Sequence, residues 1–165
     1  MTEGSYCPRC AEPLRRRPPT ACAACGYAQF VNARPTGLVI VVDGDRFLAI
    51  RRAREPRRDG WALPGGFCDG WEHPADAARR EAAEELGATV TLGTFVGMYV
   101  GPYEFQGERF PVLDCFFLAS LDRPELAPDP REVSDVHWFD LDNPPDLAFP
   151  TMGSAIADTQ QLISR

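Results

Sequence analysis

Lysine is missing from all 165 residues: the 17 basic side chains are arginine, set against 24 acidic ones for a formal net charge of −7. A chain this acidic is poorly suited to wrapping nucleic acid without regard to sequence, although a local basic patch stays compatible with it. No apolar run approaches the roughly 18 residues of a membrane span, and Met1-Thr2-Glu3-Gly4 opens no secretory leader. Histidine is limited to His73 and His137, read as a helix-entry residue and a strand side chain rather than as catalysts. Glycine and proline, 14 and 16 residues, make the chain loop-rich yet fall short of low-complexity composition. A membrane protein, a fibre and a disordered tail are therefore excluded. A soluble, cytoplasmic globular chain is expected, with 44% apolar residues to build its core.

Cysteine is present in a telling pattern. Cys7-Pro-Arg-Cys10 and Cys22-Ala-Ala-Cys25 are two Cys-x-x-Cys pairs. Each pair can bend around one ion, and two such knuckles complete a tetrahedral sulfur shell for a structural Zn²⁺. Paired disulfides suit a reducing compartment poorly. Cys68 and Cys115 are left over and read as small buried hydrophobes. Residues 1–32 hold little aliphatic core material, so metal binding must supply the folding energy of an N-terminal zinc ribbon. The run Arg15-Arg16-Arg17 reads as a solvated loop tip between the knuckles.

Residues 33–165 have a different texture. Gly37–Val42 and Arg46–Arg51 flank Asp43-Gly44-Asp45 and read as a hairpin. A basic loop spans residues 52–60. Pro74 then opens a helix that stops at Gly87. Residues 89–100, 110–121 and 133–139 are strand material. A C-terminal helix over 151–164 would bury Met152, Ala155, Ile156, Leu162 and Ile163. Strands and helices mix without strict alternation, which predicts an α/β fold with helices packed on a mixed sheet.

The helix over 74–86 carries the chemistry. Ala75, Ala78, Ala82 and Leu86 form its packing stripe, while Glu81, Glu84 and Glu85 stand at i, i+3 and i+4 on a neighbouring face. Like charges at that spacing repel, and Glu84 and Glu85 lie where the helix dipole disfavours anions. Clustered hard oxygen donors in so poor a place point to Mg²⁺ or Mn²⁺. Gly65-Gly66 can bring a bare carbonyl close as a further donor. Arg80 is placed to orient the carboxylates, with Glu72 in reach of it.

Gly66, Glu72, Arg80-Glu81, Glu84-Glu85 and Gly87 stand at the spacing Gly-x5-Glu-x7-Arg-Glu-U-x-Glu-Glu-x-Gly-U, where U is a bulky aliphatic residue. This resembles the signature of the Nudix hydrolases, with Ala82 and Ala88 in place of larger U residues. The approach Trp61–Phe67 and the segment Val136–Leu141 also resemble that family, and the four-cysteine ribbon resembles its zinc-ribbon branch, which includes NADH pyrophosphatases. The resemblance implies a Nudix α/β/α sandwich behind the ribbon. It implies Mg²⁺-dependent cleavage of the pyrophosphate in a nucleoside diphosphate linked to another group, such as ADP-ribose, a nucleotide sugar or a dinucleotide like NADH.

Carried over, Glu81, Glu84, Glu85 and the Gly65 carbonyl would hold metal, Arg80 and Glu72 would orient the cluster, and Glu81 would be the box's candidate base. Glu132 resembles a downstream metal ligand of zinc-ribbon members. Arg51, Arg52, Arg54, Arg57 or Arg58 could grip phosphates. Tyr103, or Trp61, Phe67, Tyr99 and Phe105, could stack on a base. Residues 97–105 depart from the Ser-Gln-Pro-Trp-Pro-Phe-Pro motif of NADH pyrophosphatases, and the resemblance does not extend to their larger N-terminal domain, so exclusive NADH specificity is not expected. A homodimer is left open. The competing reading from another class is a non-catalytic ligand sensor or a nucleic-acid-binding zinc-ribbon module.

Overall fold

In the computed structural model, residues 6–164 are described, and Met1–Gly4 lies outside the described residues. The chain divides into two compact units, Met1–Asn32 and Ala33–Arg165. No helix among the described residues is long and apolar enough to cross a membrane.

The first unit is two similar knuckles. The Ala11 N–H donates to the Cys7 carbonyl and the Gly26 N–H to the Cys22 carbonyl, both at 2.9 Å. Each residue following a second cysteine takes a left-handed φ, 59° at Ala11 and 73° at Gly26. Short strands β1 (Thr20–Ala21) and β2 (Ala28–Gln29) pair antiparallel around the second knuckle. Between residues 6 and 32 only Cys7 and Cys22 are buried. Hydrophobic burial therefore cannot hold this unit together. Arg15, Arg16 and Arg17 are exposed, as a loop tip should be.

The second unit is built on β3 (Arg34–Asp43), which is buried from Thr36 to Val41. Its partner β4 (Arg46–Arg52) pairs with it only beside the turn, at Val42–Phe47 and Asp43–Arg46. The hairpin read from the sequence thus closes at its tip and then splays. Beyond the tip, β3 joins β6 (Gly65–Phe67) and, in parallel, β8 (Glu108–Leu121), which pairs in turn with β7 (Val90–Phe105). Strand β4 instead joins β5 (Trp61–Ala62) and β9 (Val133–Asp140). A strand covered on both faces reads as a continuous apolar run rather than an alternating one, which is what Leu38–Val42 shows.

Strands β7 and β8 outrun the sequence expectation, because the ladder continues to a two-residue turn at Gln106 and Gly107, both at positive φ. Pro102 and Pro111 face each other in that extension. Pro102 lies on an edge strand, and Pro111 lies just before β3 begins to pair at Val112, so neither removes a needed donor.

Two helices complete the α/β/α arrangement. α1 (Pro74–Leu86) starts at His73, whose Nδ1 accepts from the Ala75 N–H, and ends on Gly87 at φ 61°. It buries Ala77, Ala78, Ala82 and Leu86, while Ala75 stays half-buried. α2 (Pro150–Ile163) buries Met152, Ala155, Ile156 and Thr159, but Leu162 and Ile163 in its last turn are exposed, contrary to expectation. Successive strand residues face opposite sides. Gly37 faces α1, whereas Thr36 and Asp114 face α2. Asp114 is buried and accepts from Thr36 Oγ1 (2.7 Å) and Thr151 Oγ1 (2.6 Å). It therefore ties β3 and β8 to the first turn of α2, where an anion is favoured by the helix dipole.

Gly37 sets how closely α1 approaches the sheet. A Cβ there would lie 2.0 Å from the Pro74 carbonyl oxygen and 2.7 Å from the Ala78 nitrogen. Gly37→Ala must lift α1, at a cost at the upper end of the 1–3 kcal/mol typical of overpacking. Urea denaturation should show that loss. An unchanged midpoint would show that α1 does not seat on β3 in this way.

Candidate active site and metal centre

A cavity of about 550 Å³ opens on the α2 side of the sheet. Its floor is built from alternate residues of three strands, Thr36 and Leu38 of β3, Val112 and Asp114 of β8, and Gly101 and Tyr103 of β7. The first turn of α2 and the loop after β4 supply walls.

Glu81 and Glu85 enter this cavity from α1 because Gly65 and Gly66 carry no side chains to stop them. A Cβ on Gly66 would lie 2.4 Å from the Glu81 carboxylate, and one on Gly65, at φ 146°, would strike Leu38 Cα at 2.6 Å. Glu85 is only 5% exposed, and its Oε2 accepts from the Gly65 N–H at 2.8 Å. Burial pushes its pKa up to about 8, against the lowering pull of that hydrogen bond. Burial also raises Glu81, opposed by Arg80. Glu84 stands apart: its side chain is 55% exposed and is not part of the cavity wall. At 100° per residue, Glu84 and Glu85 lie on opposite sides of Glu81, and the cavity is on the Glu85 side.

Arg80 gathers the cluster. Its Nε and Nη2 donate to the two oxygens of Glu72 at 2.9 and 2.8 Å, and Nη2 also donates to the Phe67 carbonyl at 3.0 Å. Its Nη1 donates to Glu81 at 2.7 Å and to Glu84 at 3.2 Å. The paired guanidinium holds Glu72 down at about 2. Glu132 reaches the same cavity, bridged to Arg54 at 2.6 Å.

The expected phosphate-binding arginines separate. Arg52 and Arg54 line the cavity; Arg51, which donates to the Asp59 carbonyl, and Arg57 and Arg58 do not. The aromatic candidates separate as well. Tyr103, Phe67 and Phe105 line the cavity. Trp61 packs against Phe139 and His137 instead, and Tyr99 donates to Asp158 at 2.5 Å. Sequence reasoning missed Arg34, Phe110 and Phe149. Phe110 and Phe149 flank Tyr103 at 5.4 and 5.5 Å between ring centroids, and Arg34 lies 3.7 Å over the Phe110 ring. Strand alternation would have grouped Arg34, Thr36 and Leu38, but the β3–β8 register that places Phe110 nearby is not written in either strand alone.

In the first unit, the Cys7, Cys10, Cys22 and Cys25 sulfurs all lie within 4.8 Å of one another. Cys7–Cys25 and Cys10–Cys22 are each separated by 3.7 Å. A tetrahedron with metal–sulfur bonds of about 2.3 Å has edges of about 3.8 Å, so the shell fits zinc. All six cysteines are free thiols, which excludes the paired disulfides. Cys115 is buried as expected, but Cys68 is half-buried, and burial raises both thiols.

Comparison with known proteins agrees with this geometry. The chain is 28% identical over 153 residues to "NAD-capped RNA hydrolase NudC" of Stutzerimonas stutzeri (strain A1501), covering 89% of this chain and 52% of that protein. It is 31% identical over 115 residues to an "ADP-ribose pyrophosphatase" of Methanocaldococcus jannaschii, covering 67% of this chain and 66% of that protein. The chain thus spans about half to two thirds of the length of these relatives. The structure of a MutT NUDIX hydrolase from Burkholderia pseudomallei superposes with a TM-score of 0.68 at 27% identity, over 77% of this chain and 98% of that one. The family model described as NUDIX domain matches residues 32–158, and the chain belongs to that family.

Proposed function

We propose that the chain is a divalent-metal-dependent pyrophosphohydrolase acting on a nucleoside diphosphate linked to a second group, of the dinucleotide or ADP-ribose kind. The carrying observation is the buried Glu85 carboxylate beside Glu81, in a cavity whose far wall is aromatic. Relatives named for NAD-capped RNA and for ADP-ribose support that substrate class.

The oxygen donors fit Mg²⁺ or Mn²⁺. Glu81, Glu85 and the Gly65 carbonyl would hold the ion, with Glu84 at the rim and Glu132 as a further carboxylate once Arg54 releases it. A bound cation would offset the cost that now raises Glu85, neutralise the diphosphate and acidify an attacking water. Hydrolysis breaks one P–O bond of the anhydride as water oxygen forms a new one, and the water's proton must go to a base. Glu81 is the base we assign: burial raises its proton affinity and Arg80 holds one of its oxygens in place. Arg52, close enough to pull on the Glu85 charge, would grip the diphosphate. The four cysteines would hold one structural zinc.

Three results test this reading. In a Mg²⁺-dependent screen over NADH, ADP-ribose, nucleotide sugars and nucleoside triphosphates, Glu85→Gln should lose orders of magnitude in rate on the best substrate. Glu125→Gln, in a proline-rich connection, should not. Equal rates at limiting Mg²⁺ would remove Glu85 from the site. Without added magnesium, the same substitution should stabilise the protein. The folded pKa of Glu85 lies above its unfolded value, so wild type loses stability as pH rises from about 4.5 to about 8. The gain for Glu85→Gln should be absent at pH 4 and reach up to about 3 kcal/mol at pH 7. Metal analysis should find one zinc per chain, lost in Cys22→Ser together with the proteolytic resistance of residues 6–32. Zinc retained in that variant would disprove the four-sulfur shell.

A further inference from the structure

Arg54 and Glu132 reach the cavity from neighbouring strand ends. The pairing of β4 with β9 runs to Arg52 and Val133, and the Ala53 N–H carries it one step further by donating to the Glu132 carbonyl at 2.9 Å. There the two side chains meet in the cavity wall, with Arg54 Nη2 on Glu132 Oε1 at 2.6 Å. The backbone under Glu132 is tied down. Glu132 and Val133 donate to the Asp129 carbonyl at 3.0 and 2.8 Å, and the Ala127 and Asp129 N–H groups donate to the Leu86 and Glu85 carbonyls at the end of α1. A change of partner at Glu132 is therefore a matter of side-chain rotation, not of loop movement. Arg54 is the more exposed of the pair, 58% against 29% for Glu132.

Each member of the pair stands beside a place where it is needed. Burial raises Glu81 and Glu85, and the Glu132 charge adds to that effect at both. A cation drawing on those two carboxylates would thus draw on Glu132 as well. Burial also raises the Tyr103 phenol, and Arg52 and Arg54 both oppose it. An anion gripped by Arg52 would likewise draw on Arg54. A cation entering alone must take Glu132 from Arg54 and leave a guanidinium without its anion. A phosphate entering alone must take Arg54 from Glu132 and leave a bare carboxylate beside two others. When the two arrive together, both side chains change partners and no charge is left unpaired.

We propose that the Arg54–Glu132 ion pair is an exchange pair. It withholds Glu132 from the divalent cation and Arg54 from the diphosphate until both are present, and the two side chains then trade partners. This rests on the pyrophosphohydrolase reading and makes Arg54 a positioning residue for the cation site. The coupling is reciprocal: the factor by which the diphosphate strengthens cation binding is the factor by which the cation strengthens diphosphate binding.

The test reads binding, not turnover. Calorimetry on the full chain follows Mn²⁺ without nucleotide, and separately α,β-methylene-ADP without added divalent metal; a bridging carbon replaces the anhydride oxygen of that nucleotide. Arg54→Met keeps the stem and releases Glu132, so it should bind Mn²⁺ alone about fivefold or more tightly than wild type. Arg54→Lys keeps the charge and should stay within about twofold of wild type. Glu132→Gln releases Arg54 and should strengthen binding of the metal-free nucleotide by about fivefold. A misfolded variant cannot produce either gain. Both gains should fall below about twofold when the double variant Arg54→Met/Glu132→Gln is compared with the single variant already lacking the partner. If Arg54→Met binds Mn²⁺ no more tightly than wild type, or if the gains persist in the double variant, the two charges act separately. The exchange pair is then wrong and the carboxylate site stands. If wild type binds Mn²⁺ no better than Glu85→Gln does, with or without α,β-methylene-ADP, the metal-dependent reading falls and takes this proposal with it.

Discussion

Glu85 is a carboxyl group that the fold has taken out of water and met with a single backbone N–H, that of Gly65, so that burial favours its neutral form. Removing a carboxylate from water without an opposite charge is among the costlier things a small domain can do. The neighbouring structure follows from accommodating it. Gly37 lets α1 lie against β3, and Gly65 and Gly66 leave no side chains between that helix and the cavity. The first of those approaches also seats Ala78, Ala82 and Leu86 in the core. Together they also hold one carboxylate out of water, where a divalent cation would be the partner it lacks.

The absence of lysine acquires a meaning at Arg80. A guanidinium has five N–H donors in a fixed plane, and the five hydrogen bonds of Arg80 go to both oxygens of Glu72, to Glu81, to Glu84 and to the Phe67 carbonyl. An ammonium has three donors and no fork, so it could not join the loop before α1 to two turns of the helix at once. Glu72 also accepts from the Asp69 N–H at 2.9 Å, which fixes that loop. Arg80 is thus a positioning residue. It orders the carboxylates from outside the cavity, whose lining arginines are Arg34, Arg52 and Arg54 instead.

How far this was legible follows from how local each feature is. The helix from Pro74 to Gly87, its caps and its carboxylates are encoded within fifteen or so neighbouring residues, and the structure reproduces them. The knuckles are local in the same way, set by the Cys-x-x-Cys spacing, although the left-handed residue after each second cysteine was not read from it. Glu84 shows the limit. Spacing grouped it with Glu81 and Glu85, but which side of Glu81 faces the cavity depends on how α1 rolls onto the sheet. The row of Arg34, Phe110, Tyr103 and Phe149 was not legible, because it draws on three strands and a helix terminus far apart in sequence. The β7–β8 hairpin pairs Tyr103 with Phe110, and the parallel register of β3 with β8 and the docking of α2 bring in Arg34 and Phe149. The exposed Leu162 and Ile163 fail for a related reason: periodicity marks a face of a helix but not where the surface beneath it ends.

The cavity therefore has two walls of different character. One is a contiguous segment, β6 to α1, whose geometry is set by glycines and a saturated arginine and tolerates little change. The other is assembled from the β7–β8 hairpin and the first turn of α2, held in register by Asp114 through Thr36 and Thr151. Residues 97–105, where the chain departs from the NADH pyrophosphatase motif, lie on this second wall, with Gly101, Tyr103 and Phe105 facing the cavity. A substitution there changes the aromatic side of the cavity without touching the carboxylates. Asp114 makes the separation workable, because it transmits the position of α2 to β3 by two short hydrogen bonds rather than through the catalytic segment. On the proposed reading, the chemistry would be carried by one wall and the choice of substrate by the other, so a motif confined to the first wall would name the family and be silent on the substrate.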